Sequence, residues 1–201
     1  ALTTVISTLV GTAAALAMGR HAFRGKGTSQ ALLYLPIVIP EIVMGIGILT
    51  LFSQLFGLLN SSLELTGDSR LSLGLGTVIV SHIAFSVPFV TLVVQARLQG
   101  FDKSYEEAAM DLGSKPWQVM FDITLPVIFP AILSGWLLAF TISLDDVVIT
   151  SFTTGPGNTT LPLLIWSKVK LGVTPDVNAL ATLTVLVVGT GVAIAGWLMT
   201  R

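Results

Sequence analysis

Hydrophobic residues along this chain gather into long unbroken runs, unlike the alternation of half-buried strands or the single stripe of surface helices. Five runs are long enough to cross about 30 Å of hydrocarbon as helices. They are roughly Ala1–Gly19, Ala31–Phe56, Leu73–Val94, Val127–Thr150 and Asn178–Met199. Short polar connectors and two longer ones separate them. The pattern predicts an all-α, polytopic membrane helix bundle forming a single domain over residues 1–201. Two spans look built for close packing: "GTAAALAMG" in the first and "GTGVAIAG" in the last carry small residues that let backbones approach. The second carries Pro36 and Pro40, then Glu41, Gly45 and Gly47. Proline frees backbone carbonyls, so a kink is expected, serving either packing alone or a polar cavity beside the acid. His82, inside the third span, reads as a hydrogen-bonded packing residue, because no second histidine or clustered acid accompanies it in sequence.

Composition supports the bilayer. The chain is 53% hydrophobic and 10% charged, against about 25% charged in ordinary soluble domains. A net charge of −1 offers no basic patch for a nucleic acid. With no cysteine, disulfides, thiolate metal sites and a cysteine nucleophile are excluded. Basic residues set the orientation. Arg20, Arg24, Lys26, Arg97, Lys103, Lys115 and Arg201 fall on one side, against Arg70, Lys168 and Lys170 on the other. The first group is cytoplasmic, which places the start of the chain outside and leads us to expect a preceding helix and six spans in all.

The connector "FDKSYEEAAMDLGSKPWQVMFDITLP" predicts a helix, a tight turn and a second short helix. Ser104 and Glu107 have capping-box spacing, Gly113 suits a left-handed C-terminal position, and Ser114 is placed to cap the second helix with Pro116 in its first turn and Pro126 after its end. Its acids, Asp102, Glu106, Glu107, Asp111 and Asp122, outnumber Lys103 and Lys115. A helix resting on lipid headgroups is usually basic, so docking onto a cytoplasmic protein fits better than a membrane-surface helix; a plain connector is the remaining alternative.

Adjacent carboxylates at Asp145 and Asp146 interrupt the fourth span. An acid at the centre of a membrane helix costs roughly 2.5–3.5 kcal/mol. Neighbouring helical positions point about 100° apart, so one acid can face a pathway while the other meets a helix or a backbone donor. The alternative is that the pair only caps or tethers helix ends near the external mouth. A passing cation would relieve their repulsion, and an anion would be repelled. Glu41 is the other acid placed to line such a pathway. The external stretch 151–175 is expected to meet a binding protein or to form a lid between helices.

The connector resembles the EAA motif of permease subunits in binding-protein-dependent ABC importers: E-A-A, three residues, G, nine residues, I, one residue, L-P. Glu107, Ala108, Ala109, Gly113, Ile123, Leu125 and Pro126 keep every spacing. The resemblance implies a type I ABC importer permease fold in the bacterial inner membrane. In it, Glu107 and Gly113 shape a coupling element at about 104–124, and Ala108 and Ala109 contact an ATPase. "SGWLLAFTISLDDVVITSF", "TGPGNTTLPLLIWSKVKLGV" and "TPDVNALATL" are similar to the second permease of putrescine and spermidine importers. Glu41 stands where that family tends to carry Asp, which keeps the charge and lengthens its reach. That likeness implies a non-enzymatic subunit without cofactor of its own. Its partners would be a homodimeric ATPase holding ATP and Mg²⁺, a different second permease, a periplasmic polyamine-binding protein and the lipid bilayer. The chain has no G-x-x-x-x-G-K-[ST] with which to cradle phosphate itself. The alternative is a proton-coupled secondary transporter of cationic amines that cycles protons on Asp145 and Asp146; an ion channel is a third class. Neither rival needs to dock an ATPase.

Overall fold

A computed structural model describes residues 1–199; Arg201, counted above among the cytoplasmic cations, lies outside the described residues. Among the described residues ten α-helices follow one another: α1 (Leu2–Arg20), α2 (Lys26–Val38), α3 (Glu41–Ser62), α4 (Leu75–Gln99), α5 (Ser104–Asp111), α6 (Pro116–Val119), α7 (Leu125–Asp145), α8 (Val148–Thr153), α9 (Leu161–Leu171) and α10 (Pro175–Met199). No strand occurs among the described residues. Five segments are long and apolar enough to span a bilayer: Leu2–Arg20, Glu41–Ser62, Leu75–Gln99, Pro116–Asp145 and Pro175–Ile194.

Two boundaries differ from those the hydrophobic runs predict. The expected kink in the second span is a full break: α2 stops at Val38, and α3 starts at Glu41 behind Pro40. A residue before proline is steered away from helical backbone angles, and proline itself donates no hydrogen bond. Glu41 therefore occupies the first turn of α3, not the interior of a longer span. In the fourth, helix begins well before Val127. From Pro116 to Asp145 it runs for 30 residues, about 45 Å at 1.5 Å per residue. A widened π turn at Met120–Thr124 joins α6 to α7, with the Leu125 N–H reaching back five residues to the Met120 carbonyl. Pro126 follows at once. In a regular helix its ring would crowd the Asp122 carbonyl, and the wider turn relieves that contact. Pro126 thus lies inside a continuous helix, where the sequence pattern had placed it after a helix end.

The helices group into two compact units. One comprises Ala1–Val38 and Ile83–Ile142. Its core is Ala15, Val90, Val94, Ile128 and Ala139, with Leu16, Leu98, Leu125 and Ile132 packed around it. Small residues set the spacing, as the "GTAAALAMG" pattern predicts. A Cβ added at Gly11 would lie 2.7 Å from the Cβ of Val90, and one at Gly135 would lie 3.2 Å from its Cγ1. The Thr91 hydroxyl reaches the carbonyls of Val87 at 2.8 Å and Gly11 at 3.2 Å, holding α4 against α1.

The other unit comprises Ile39–His82 and the described residues from Ser143 onward. Here α8 packs on α3, where a Cβ at Gly45 would meet Phe152 at 2.5 Å. The Thr77 hydroxyl donates to the Thr153 carbonyl at 2.6 Å. Asn60 clasps the following loop, donating to the Leu71 carbonyl at 3.0 Å and accepting the Leu71 N–H at 2.8 Å. The glycines of "GTGVAIAG" behave otherwise than expected: Gly189, Gly191 and Gly196 have open space where a Cβ would stand, so α10 uses none of them against a neighbour in this chain.

Candidate functional site

The connector's corner is built in the first unit. α5 ends in a Schellman motif: Gly113 takes φ +92, its N–H reaches the Met110 carbonyl at 2.9 Å, and the Ser114 N–H reaches Ala109 at 3.0 Å. A residue with a Cβ is strained at that φ. The expected left-handed glycine is therefore in place. Both caps differ in detail. The Ser104 hydroxyl does not cap α5; instead its N–H is taken by the Asp102 carboxylate at 2.9 Å. An aspartate two residues back closes an Asx turn more readily than the box closes here. Ser114 does not cap the second helix either: Lys115 takes that position ahead of Pro116, and its N–H is accepted by the Gln118 side chain at 2.8 Å.

Glu107 and Ala108 are exposed and Ala109 is half-buried. Ile123 lies in the widened turn, and Leu125 and Pro126 open α7. Around them Tyr105, Met110 and Leu112 are exposed apolar side chains, Leu112 at 88%. Glu107 makes no hydrogen bond or ion pair among the described residues, whereas its neighbour Glu106 is deeply engaged. Its Oε1 receives the Arg20 Nη2 and, at 2.5 Å, the hydroxyl of Thr124. Arg20 also donates to Thr124 at 2.8 Å. Sequence reasoning counted Arg20 only for topology and missed Glu106 and Thr124 as a unit, since these residues meet only in three dimensions. A hydroxyl and an acid within a buried-looking connector were the available signal.

The acidic pair lies in the second unit, and the structure separates its members. Asp146 is buried between α7 and α8. Its Oδ1 accepts the Ile149 N–H at 3.1 Å, and its Oδ2 accepts the Thr150 N–H at 2.8 Å and hydroxyl at 2.7 Å. His82 Nε2 stands 3.2 Å from the same Oδ2 and 2.9 Å from the Thr150 hydroxyl oxygen. Because that hydroxyl's one proton points to Asp146, His82 Nε2 is the donor, and in the neutral ring Nδ1 accepts from Ser143 at 2.8 Å. His82 is a hydrogen-bonded packing residue, and an acid does accompany it in space. Asp145, the last residue of α7, is exposed. It borders a groove of about 340 Å³ with Leu144, Leu161, Trp166, Val169 and Ala181. Glu41 is exposed at the start of α3, where the helix dipole favours an acid. No hydrogen bond or ion pair among the described residues joins Glu41 to either aspartate. Nor do any three His, Cys, Asp or Glu side chains among the described residues gather as a metal site.

An all-helical membrane bundle whose connector folds as helix, left-handed glycine and helix, with E-A-A at this spacing, has the architecture of an ABC importer permease. The chain belongs to the family described as binding-protein-dependent transport system inner membrane component, whose pattern matches residues 8–201. It is 45% identical over 194 residues to the putrescine transport system permease protein PotI of Escherichia coli (strain K12), covering 96% of this chain and 66% of that one. It is 43% identical over 195 residues to the spermidine/putrescine transport system permease protein PotC of the same organism, covering 97% and 68%. The chain thus spans just under two thirds of the length of PotI. Among solved structures, a bacterial ABC transporter involved in the import of the acidic polysaccharide alginate matches with a TM-score of 0.73 at 20% identity, over 99% of this chain and 77% of that one. The MetNI methionine ABC transporter in an inward-facing conformation matches with a TM-score of 0.71 at 17% identity, over 99% and 90%. These two likenesses establish the fold.

Proposed function

We propose that the chain is the permease subunit of an ATP-driven importer that carries polyamines, putrescine or spermidine, across the bacterial inner membrane. The observation that carries the reading is the cytoplasmic corner. It keeps the E-A-A, glycine, I-x-L-P spacing, and it presents Tyr105, Met110 and Leu112 outside the spans, exposed among the described residues. Apolar side chains on an exposed helical corner favour a protein partner over water. Here that partner is a homodimeric ATPase that holds ATP and Mg²⁺ and pushes on α5 when it closes. Ala108 and Ala109 keep the contact shallow, and Gly113 fixes the turn. A second, different permease completes the pathway, and a periplasmic polyamine-binding protein delivers cargo at the external face, with the 151–175 stretch as part of its seat.

The choice of cargo rests on the named relatives and on carboxylates, because the fold alone does not select charge: a structure of the same fold serves an acidic polysaccharide. Asp145 beside an apolar groove, and Glu41 at a helix start, are placed to meet ammonium groups, whose charge-assisted hydrogen bonds offset lost hydration. Asp146 serves that role only indirectly, through the shape it gives the chain beside Asp145. The test is uptake by the whole complex in proteoliposomes. Putrescine and spermidine should enter only with ATP, compete with each other, and ignore unrelated solutes. Amine uptake driven by a proton gradient without any ATPase would sink the proposal.

A further inference from the structure

Arg20 closes α1, and its guanidinium does not point to water. It donates to Glu106 in the first turn of α5 and, at 2.8 Å, to Thr124 in the widened turn, while its other terminal nitrogen lies 4.0 Å from the sulfur of Met120. Thr124 closes the triangle by donating to Glu106 at 2.5 Å, and it is fully buried. The side chains of Arg20 and Glu106 are only 24% and 17% exposed. An ion pair so far withdrawn from water adds little to stability against an apolar replacement, but it fixes geometry and is costly to break from one side. The EAA glutamate itself, Glu107, makes no such bond.

We propose that Arg20 is a positioning residue that makes the last turn of α1 and the coupling helix α5 one mechanical body. Displacement of α5 then reaches α1 directly through the Arg20–Glu106–Thr124 triangle, together with the covalently joined α4 and α7. The inference rests on the proposed role of α5 as the ATPase-coupling element. A connector held only by its covalent ends would pass force to α7 at one end and α4 at the other, leaving α1 to follow through packing.

The experiment uses the assembled complex; residues 1–201 hold no cysteine to compete for label, and any cysteine in the partner subunits is replaced first. Spin labels go on His21→Cys and Ser104→Cys, both exposed, outside the triangle and outside the apolar side chains proposed to meet the ATPase. Their distance distribution should be single and unchanged between nucleotide-free and ATP-trapped states, and should broaden or shift between states in Arg20→Ala. In proteoliposomes the same variant should hydrolyse ATP yet import about tenfold less amine per ATP, a loss on the scale of one allosteric coupling contact. Arg20→Lys, and the swap Arg20→Glu with Glu106→Arg, should recover at least part of both readouts. An Arg20→Ala complex with native distances overturns the inference, whatever its transport does. So does a swap that assembles and hydrolyses ATP but keeps the broadened distances. A native complex that holds the distance fixed while moving no polyamine overturns the import reading and supports the staple.

Discussion

Where α7 stops, two adjacent carboxylates leave the chain in different directions. Asp146 turns inward because the N–H groups of Ile149 and Thr150 at the start of α8 need an acceptor, and the Thr150 hydroxyl and His82 add two more donors. Asp145 is left at the exposed end beside the apolar groove. The two should therefore respond differently to loss of charge. Asp146→Ala removes a helix cap and strands His82, costing about 1–3 kcal/mol. A lower melting temperature of the purified complex, with amine uptake falling in proportion to folded protein, checks this. Asp145→Asn and Glu41→Gln should leave the melting temperature unchanged and lower polyamine uptake. Normal uptake with Glu41, Asp145 and Asp146 all changed to amides would remove them from the pathway. That the pair would divide its work follows from the sequence, since neighbours cannot share one direction. Which member turns inward did not follow, because it depends on His82, more than sixty residues away.

At the scale of elements, the long apolar runs were legible and their ends were not. Hydrophobic patterning sees burial in lipid, and it reads through a proline or a widened turn wherever apolar residues continue on both sides. Thus Pro40 breaks a run that looked like one span, while Pro126 sits inside a helix that looked finished. The corner was read more closely, because glycine at a left-handed position has few substitutes. Gly113→Val places a β-branched residue at φ +92, a strain of about 1–2 kcal/mol or more. We expect the ATPase to bind less well to this variant, with uptake lost more completely than folding, as measured by co-purification beside transport. Close helix approach offers a second check. Gly11→Leu drives a side chain into Val90 and should cost about 1–3 kcal/mol through overpacking, whereas Gly191→Ala, with open space around it, should leave stability as it is. Thermal unfolding of the two variants in the same detergent separates them.

For the whole molecule, the two compact units carry different work. The first holds the corner proposed to receive force, and the second holds the acids proposed to greet cargo. Membrane class, fold and the glycine-turned corner all follow from the linear pattern, because lipid imposes long apolar helices and the corner's motif is local. The Arg20 triangle and the Asp146 cluster do not, since each assembles residues from distant parts of the chain. A complex lacking its ATPase should bind no less lipid and fold no worse, yet show no ATP-dependent uptake. Omission of that subunit from the reconstitution measures it.

The widened turn at Met120–Thr124 holds one residue more than an α-helix needs over the same rise. It therefore marks the place where a residue could be removed without changing which side of α7 looks at its neighbours. A single deletion there would restore ordinary winding and keep Ile128 and Ala139 inward, but it would also press the Pro126 ring against the carbonyl four residues before it. The same deletion near Ile132 swings everything after it by about 100° and carries Ala139 away from the core. The length of this helix is thus locked by the core along α7, and at the widened turn it is tied to Pro126.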